Sequence, residues 1–490
     1  MARNLQPRWW GSRKHKIFTI AVFVIISSLD NAVIAIMPPL YGVIGRDLAV
    51  SEAALGFMTG ARILVSATSA AVWGFWGDRT SRKQLLLYGT LTWSAALFIA
   101  GSAQSYGHLF GAMMVAGVGL GCVGSVGFSL AADFIPPGQR GLILSIWAIA
   151  QGFGWGTGSV ISSTLGAFAW PLPFWLIGLA GLAGLMLYLF SYEPSRGQTE
   201  PELAGAFASG QDYGYRIRLA DLKQILARRS NIWLALQGFM ATPSFGALIW
   251  MPRFLAARVE VEGYSLETAT TAGSMLYLVF QAGVYIAIPA GYWGDRWQRR
   301  NLRGRAIIGA FGNLGMVPFH IAFFLVPLTG LILPEGEGMI PLVWASLTSM
   351  LGNGWVALAF VLALGATILS VIDNPNKAAL INDVNLPEHR GTAVGMMAII
   401  NGIGLSIGNW LAGVAFDYFA LQLPSPWNFA VALSLFQLFM IPAGLCYLKL
   451  IRTTPHDIQA VRHTLAGRGQ LIEAKAKSNE NPPHPEAREI

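Results

Sequence analysis

The sequence predicts an all-α membrane protein with twelve transmembrane helices in two six-helix repeats. Of its 490 residues, 54% are hydrophobic and only 12% are charged, a composition that could not cover a soluble globule of this length with polar surface. The chain also repeats itself, because a segment that begins at Gly74 recurs at Gly291, each copy standing between long apolar runs. Two parallel six-span repeats with a solute held between them are typical of secondary transporters.

Windows of about 20 apolar residues mark the predicted membrane spans. Numbered span 1 to span 12 in chain order, they cover residues 17–37, 53–76, 85–103, 108–132, 142–165, 172–191, 232–256, 269–293, 306–329, 355–381, 393–416 and 427–448. The segment 331–354 is partly apolar and longer than any comparable loop in the first half. It leaves open an earlier start for span 10.

The repeat divides the chain into two halves, a linker and a tail. The halves are residues 1–191 and 232–450, and the polar linker 192–231 joins them. Within the linker, apolar residues of 215–229 share one helical face among basic neighbours, which predicts an amphipathic helix on the cytoplasmic lipid surface. The tail 451–490 has no apolar periodicity from Gln470 onward and is expected to be partly disordered.

The basic residues sort by membrane side under this assignment. Arg46, Arg253 and Arg258 lie on one side, Arg62 and Lys377 lie inside spans, and the other 28 of the 33 Lys and Arg residues lie on the side of both termini. The positive-inside rule therefore predicts a multi-pass protein of the plasma (inner) membrane with both termini in the cytoplasm. The net charge of +8 follows from this topology, so we expect the lipid bilayer and no nucleic acid as a partner.

Two charged motifs occur once in each half at the cytoplasmic ends of spans. They are too near the surface to bind solute, and we expect them to latch helix ends together in one transport state and release them in the other. The candidate gating residues are Gly74, Asp78, Arg79, Arg82, Asp133 and Arg140 in the first half, and Gly291, Asp295, Arg296, Arg299, Asp383 and Arg390 in the second.

The doubled Gly-x-x-x-Asp-Arg-x-x-Arg-Arg/Lys pattern resembles the signature of the major facilitator superfamily. Within it, Ser28-Leu29-Asp30 and the runs 132–141 and 246–255 resemble the spinster branch, which includes exporters of lysophospholipids and sphingoid phosphates. The resemblance implies the major facilitator fold and a proton-linked carboxylate at Asp30. The chain departs from the branch in span 4, where residues 115–122 carry none of the Arg and Glu of its relatives. Recognition of an anionic solute through that span is therefore not expected.

Four charged residues fall inside predicted spans, where each costs about 2.5–3.5 kcal/mol on insertion scales and needs a partner or a water-filled cavity. Asp30 and Arg62 lie at similar depths on spans 1 and 2, which predicts an ion pair between adjacent helices. Asp373 and Lys377 stand one helical turn apart, close enough to pair along one face. Each pair is either a static salt bridge or part of the transport machinery. For Asp30 the resemblance favours the second.

Further polar and aromatic residues are candidates for the solute cavity. A proline in Asn374-Pro375-Asn376 predicts a kinked span 10, with amides that face solute or are satisfied by neighbouring helices. Tryptophans either line an amphiphile-sized cavity or serve packing. The candidate cavity residues are Asn31, Trp147, Gln151, Trp250, Asp373, Asn374, Asn376, Lys377 and Asn401.

No nucleotide-binding loop and no metal or catalytic motif occurs in the sequence. We therefore expect no enzyme and no cofactor, and transport that runs on a gradient. Cys122 and Cys446 fall inside helices and imply no disulfide. The predicted function is a monomeric, proton-coupled transporter of an organic solute, with an amphiphilic or lipid-like molecule as one candidate. The alternatives are an uptake symporter for a small sugar-like or carboxylate solute, and a membrane sensor or scaffold that no longer transports.

Overall fold

The computed structural model describes residues 13–77, 79–127, 140–193, 219–335, 339–386 and 389–480. All regular secondary structure in these ranges is helical. Eleven helical segments there are long and apolar enough to cross a membrane. Helix Arg140–Phe168, of 29 residues, stands where span 5 is predicted. The result is the predicted twelve-span arrangement in two halves.

The first half contains spans 1 to 6, which alternate in direction across the membrane. Their bounds are Arg13–Ala35 and Met37–Asp47 for span 1, Glu52–Gly77 for span 2, Arg82–Gly101 for span 3, Tyr106–Cys122 with a π-helical turn at Val123–Gly127 for span 4, Arg140–Phe168 for span 5 and Pro171–Leu189 for span 6.

The second half follows a short linker helix, Leu219–Ala227. Its bounds are Arg229–Leu248 and Met251–Glu260 for span 7, Leu266–Phe280, a 3-10 turn Gln281–Ile286 and Ala287–Arg300 for span 8, Gly304–Leu325 for span 9, Gly354–Val371 and Asp373–Asp383 for span 10, Arg390–Ala420 for span 11, and Trp427–Gln437 and Met440–Glu480 for span 12.

The helix irregularities repeat between the halves. Spans 1 and 7 are both interrupted directly before a Met-Pro pair, at Ile36 and at Trp250, because proline has no N–H to continue the preceding helix. Spans 4 and 10 both lose regular α-helix at nearly equivalent positions, after Cys122 and after Val371. Spans 5 and 11 begin at the equivalent Arg140 and Arg390. The repeat seen in the sequence is therefore a repeat of backbone structure.

Glycines set how closely the spans approach one another. Span 5 packs against spans 1 and 8, and span 11 packs against spans 7 and 2. A Cβ on Gly154 would overlap the carbonyl oxygen of Ser28, and a Cβ on the equivalent Gly404 would overlap the Thr242 hydroxyl. These contacts explain the shared glycine pattern of spans 5 and 11, because only glycine permits such close helix approach.

Three segments differ from the sequence-based expectations. Ile225 of the linker helix is fully buried against Leu234 and Leu380 of the second half, so this side chain packs on protein instead of lipid. The segment after span 9 forms a separate helix, Met339–Gly352, and span 10 does not start early. The last helix continues to Glu480, which makes the expected disorder from 470 wrong up to that residue.

Candidate functional site

The two charged residues of the first half are buried but do not pair. Asp30 is 6% exposed and Arg62 is 2% exposed. No hydrogen bond is found for Asp30 Oδ1 or for Arg62 Nε, although both atoms are buried. Within the described ranges, no nitrogen of Arg62 lies within 4.0 Å of an Asp30 carboxylate oxygen. The predicted ion pair is therefore not formed in this conformation. Span 2 packs mainly against spans 4 and 11, and its hydrogen bond to span 1, from Tyr41 Oη to Thr59 Oγ1 at 2.8 Å, involves neither charged residue.

Two predicted cavity residues meet one turn before Asp30. Asn31 Nδ2 donates to the Ser27 carbonyl oxygen at 2.9 Å, and Gln151 Nε2 approaches Ser27 Oγ at 3.4 Å. Both amide side chains are half-buried. Because residues three apart share a helix face, Ser27 and the Gln151 amide that contacts its hydroxyl lie on the same side of span 1 as the Asp30 carboxylate. The side chain of a further candidate, Trp147, lies outside the described part of the chain.

In the second half, Asp373 is buried in a network of neutral hydrogen-bond donors. Tyr447 Oη donates to one carboxylate oxygen and Asn313 Nδ2 donates to the other at 2.9 Å. Gln237 Nε2 in turn donates to Asn313 Oδ1 at 2.9 Å. The expected contact with Lys377 is absent among the described residues, since no Nζ to oxygen distance is 4.0 Å or less. Asp373 thus joins spans 7, 9, 10 and 12 and does not line an open cavity.

Lys377 instead points toward spans 7 and 11. A Cβ built on Gly238 would lie 3.3 Å from Lys377 Nζ and would overlap Asn401 Oδ1. The Lys377 and Asn401 side chains are half-buried, and Asn401 Oδ1 has no hydrogen-bond partner. The structure therefore brings two predicted cavity residues together beside the backbone of span 7.

The two asparagines of the kinked segment of span 10 lie in different environments. Asn374 is exposed. Asn376 is 1% exposed, and its Nδ2 donates to the carbonyl oxygens of Ala290 and Ile372. A Cβ on Gly294 would overlap Asn376 Oδ1. Asn376 is therefore a packing residue against the signature segment of span 8, and its prediction as a cavity residue is wrong for this conformation.

Trp250 is a second correction. Its indole is 0% exposed, and Nε1 donates to the Asn409 carbonyl oxygen at 3.1 Å. The ring packs 4.1 Å from the ring of Tyr41 and 5.1 Å from that of Phe416. Since Tyr41 belongs to the other half, Trp250 closes the interface between halves instead of lining a cavity.

The side of the membrane opposite the termini carries a charged network between halves that sequence reasoning missed. Asp417 of span 11 accepts from the backbone N–H groups of Glu52 at 3.2 Å and Ala53 at 2.8 Å, which start span 2. Arg253 of span 7 pairs with Glu52 at 3.1 Å and with Glu260 at 3.0 Å. Glu260 also pairs with Arg46 of span 1.

We call this network, Arg46, Glu52, Arg253, Glu260 and Asp417, the opposite-side latch. Nearer mid-membrane, Ser406 Oγ donates to the Gly60 carbonyl oxygen at 2.7 Å and Asn409 Nδ2 donates to that of Gly56 at 2.9 Å. These contacts also join span 11 to span 2. Polar contacts between the halves thus cluster toward one side of the membrane.

The first signature loop is tied to the end of span 6. Ser81 Oγ donates to Glu193 at 2.7 Å, the Arg82 N–H donates at 2.9 Å, and Arg82 Nε pairs with the same carboxylate at 3.3 Å. Burial would raise the pKa of Glu193, but these hydrogen bonds and that of the Lys83 N–H outweigh it and hold the pKa below the usual value. Arg79 is exposed and lies over the Phe75 ring at 3.5 Å. Asp78 lies outside the described residues.

The second signature segment is bridged by a residue that was not predicted, Arg305. Its guanidinium pairs with Asp295 at 2.5 Å and with Asp383. Arg305 therefore connects the ends of spans 8 and 10 from the start of span 9. Arg390 Nε donates to the Asn382 carbonyl oxygen at 3.1 Å.

The other predicted gating residues take lesser positions. Arg296 and Arg299 are exposed. Gly291 packs on Pro375, and Gly74 faces Ser125 at 3.9 Å from its built Cβ. Asp133 lies outside the described residues, as does the side chain of Arg140.

The missed residues share a reason. Arg305, Glu193 and Asp417 stand at helix ends or loops, where a charge is inexpensive and carries no burial signal in the sequence. Asn313 and Tyr447 lie in apolar runs, but their meeting with Asp373 depends on how three spans pack. Of these residues, only Glu193 could have been identified from the sequence. It directly follows span 6, and a carboxylate there can interact with the N-terminus of the span 3 helix, which begins with the basic Arg82.

The chain matches the model of the Major Facilitator Superfamily over residues 20–371. It belongs to that superfamily. The match covers most of the chain, including the first half from residue 20 onward and the second signature segment. The protein is therefore a multi-pass integral membrane transporter and not an enzyme.

Curated relatives of this chain include spinster proteins. The chain is 24% identical over 303 residues to the mouse sphingosine-1-phosphate transporter SPNS2, covering 59% of this chain and 54% of that protein. It is 28% identical over 307 residues to mouse protein spinster homolog 1, covering 58% of this chain and 56% of the relative. The alignments therefore span little more than half the length of these relatives.

Solved structures share the fold. A bacterial homolog of the human lysosomal transporter spinster, in an inward-facing and occupied conformation, superimposes with a TM-score of 0.68 at 18% identity, over 91% of this chain and 99% of that one. A D-xylose-proton symporter superimposes with a TM-score of 0.60 at 15% identity, over 86% and 97% of the two chains. At these identities the likeness describes architecture only.

Proposed function

We propose that this transporter couples proton movement to the transport of an organic solute, with Asp30 as the proton site and Arg62 as its partner. The observation that carries the proposal is that both groups are buried and lack mutual contact, with Asp30 Oδ1 and Arg62 Nε left without hydrogen bonds. The protonation of a buried carboxylate depends on whether a cation stands beside it. Movement of Arg62 relative to Asp30 between two states would therefore link proton binding to conformation.

The interface between halves supports alternating access. The opposite-side latch joins the halves on one side of the membrane. The contacts of the two signature segments described above stay within a half, as Arg82 with Glu193 and Arg305 with Asp295. Rocking the halves would break the contacts of the opposite-side latch. The signature segments, on the side of the termini, would then come together. We propose that both termini face the cytoplasm of a plasma membrane, in line with the charge distribution.

The relatives favour an amphiphilic solute over a sugar-like one. The name of the mouse relative gives sphingosine-1-phosphate as its solute, and this chain aligns with it over 303 residues. The D-xylose-proton symporter supports only the fold, because its identity is 15%. An amphiphile with a polar headgroup is therefore the solute class we put forward, and a small sugar-like solute is the alternative.

The test measures uphill transport and exchange in proteoliposomes, with sphingosine-1-phosphate and D-xylose as probes. We expect Asp30→Asn to mimic a permanently protonated carboxylate, so that exchange across equal pH continues while accumulation driven by a pH gradient is lost. Glu267→Gln, a carboxylate change in the first turn of the span 8 helix on the opposite side, is the control and should accumulate solute normally.

Arg62→Gln should change the pH dependence of accumulation while leaving the amount of folded protein near that of wild type. Accumulation of D-xylose alone by wild type would support the sugar-like alternative. Should Asp30→Asn still concentrate solute as wild type does, the carboxylate is structural and the mechanism is wrong.

A further inference from the structure

Lys377 is a cation without a counterion in the described protein. Its expected partner Asp373 already accepts from Tyr447 Oη and Asn313 Nδ2, one donor on each carboxylate oxygen. No hydrogen bond or ion pair to Lys377 occurs within the described ranges. An ammonium within a membrane span is retained where a partner or an aqueous cavity compensates its charge. Among the described residues, the protein supplies only the more distant charge of Asp373.

The ammonium stands beside a second unsatisfied polar group. Lys377 Nζ and Asn401 Oδ1 both approach the backbone of span 7 at Gly238. The Asn401 oxygen is buried without a hydrogen-bond partner. An amide that has no partner at one atom is free to turn and donate an N–H group. Lys377 and Asn401 thus offer a positive charge and an adjacent donor or acceptor from two different spans.

We propose that Lys377 and Asn401 bind an oxyanionic group of the solute, a carboxylate or a phosphate, in the second half of the transporter. A charge-assisted hydrogen bond from the ammonium would hold the anion, and the Asn401 amide would orient it. Span 4 of the first half has no charge at residues 115–122, so the anion site of this chain lies on spans 10 and 11. The inference rests on the proposed function, since it names the headgroup of the same solute.

Binding to purified protein tests the site without any gradient. The probes are decyl phosphate, decanoate, inorganic phosphate and uncharged decanol, measured by calorimetry and by the shift in melting temperature. We expect wild type to bind decyl phosphate and decanoate. In Lys377→Gln the affinity should fall by about 10- to 100-fold, which corresponds to the loss of one charged hydrogen bond. Lys377→Arg should keep most of it. Lys449→Gln, the same substitution at an exposed lysine of span 12, should bind as wild type does.

A second variant separates loss of binding from loss of folding. Asn401→Asp places a carboxylate next to Lys377, so it should occupy the ammonium internally, keep the protein folded and abolish oxyanion binding. Lys377-dependent binding of inorganic phosphate alone would support a site for small anions, and binding that also needs the decyl chain would support an amphiphile headgroup.

Equal affinity of decyl phosphate for wild type and Lys377→Gln, or no oxyanion binding by wild type, would overturn the site. The proposed proton coupling is judged separately, because Asp30→Asn should retain this binding whatever its effect on transport.

Discussion

Removing the carboxylate of Asp417 should open the transporter on the side opposite its termini. Asp417 accepts two backbone hydrogen bonds, from Glu52 N–H at 3.2 Å and Ala53 N–H at 2.8 Å, at the N-terminus of the span 2 helix in the other half. It therefore acts as a helix cap supplied across the interface. Asp417→Ala removes both acceptors. Span 2 keeps its helix, because Ser51 Oγ still accepts from the Ala54 N–H at 3.2 Å.

The size of the effect follows from capping energetics. Loss of an N-cap residue costs about 0.5–2 kcal/mol, and the charge of the carboxylate near the helix N-terminus adds about 0.3–1 kcal/mol. Asp417 is half-buried, so screening by water keeps the sum near the lower part of these ranges. We take about 1.5 kcal/mol as the working value. Because these bonds exist only while the halves touch here, the closed state loses this amount, and the ratio of open to closed molecules rises about tenfold.

The assay follows the accessibility of one reporter cysteine. Ser163→Cys, in a background where Cys122 and Cys446 are replaced by alanine, puts a thiol at a fully buried position near the opposite end of span 5. The neighbouring span 8 contacts it there, since Thr271 Oγ1 donates to the Ser163 carbonyl oxygen. When opening is fast compared with labelling, the rate of modification by an impermeant maleimide is proportional to the open population.

The expected results form a series. Asp417→Ala should label about tenfold faster than the parent, and Asp417→Asn should fall between them because asparagine also caps helices. Glu262→Gln is the control, since Glu262 accepts from Gly330 N–H within its own half at 3.0 Å. Equal labelling of Asp417→Ala and the control, with both proteins folded, would refute the role of this carboxylate in holding the halves together.

Three further predictions concern packing, pH and the second signature segment. Gly154→Ala should lower the free energy of unfolding by about 1–3 kcal/mol, because the new Cβ would overlap the Ser28 carbonyl oxygen. Gly152→Ala, whose Cβ would have no described atom within 4 Å, should be neutral or stabilise the protein by up to about 1 kcal/mol. Thermal melting in detergent compares the two variants, and equal effects would contradict the argument that Gly154 permits close helix approach. Since the pKa of Glu193 is lowered on folding, its contribution is complete above the unfolded value of about 4.3 and disappears as pH falls through the lower folded value. The difference in melting temperature between wild type and Glu193→Gln should therefore be constant from about pH 6 to about pH 8 and shrink below about pH 4, and a difference that grows on acidification would contradict this. Asp295→Asn removes one carboxylate partner of Arg305. It should leave membrane insertion intact but change the labelling of reporter cysteines from the two sides of the membrane. Unchanged labelling together with unchanged transport would show that Asp295 does not help to hold one transport state.

The spans and their repeat could be predicted from the sequence because hydrophobic length and backbone-limiting residues act locally. Met-Pro pairs mark the interruptions of spans 1 and 7, and the glycines of spans 5 and 11 mark close approach whatever the rest of the fold does. The last helix was harder to delimit. Residues beyond Gln470 lack apolar periodicity, yet the helix continues to Glu480, because a helix already nucleated within the membrane extends at little further cost.

The candidate site was less predictable, because partner choice depends on tertiary packing. A carboxylate one turn from a lysine favours a pair on an isolated helix. In the folded protein Tyr447 and Asn313 reach Asp373 from spans 12 and 9, and two neutral donors satisfy a carboxylate without immobilising a lysine side chain. Likewise, similar depth on spans 1 and 2 indicated that Asp30 and Arg62 would meet. Depth gives the position of a residue along the membrane normal only. Its position in the membrane plane depends on helix packing, and span 2 packs mainly against spans 4 and 11.

The charged residues inside the spans break the repeat that organises everything else. Aligning Met37 with Met251 places Ser244 opposite Asp30, and aligning Gly74 with Gly291 places Val279 opposite Arg62. The shared register of spans 4 and 10 likewise puts Val123 opposite Asp373 and Gly127 opposite Lys377. A symmetric scaffold lets the halves rock about a common axis. The charges are asymmetric, because the first half holds an acid and a guanidinium without mutual contact and the second holds an ammonium without its expected partner. Under the two proposals, proton binding and anion binding respond to the same motion from opposite halves.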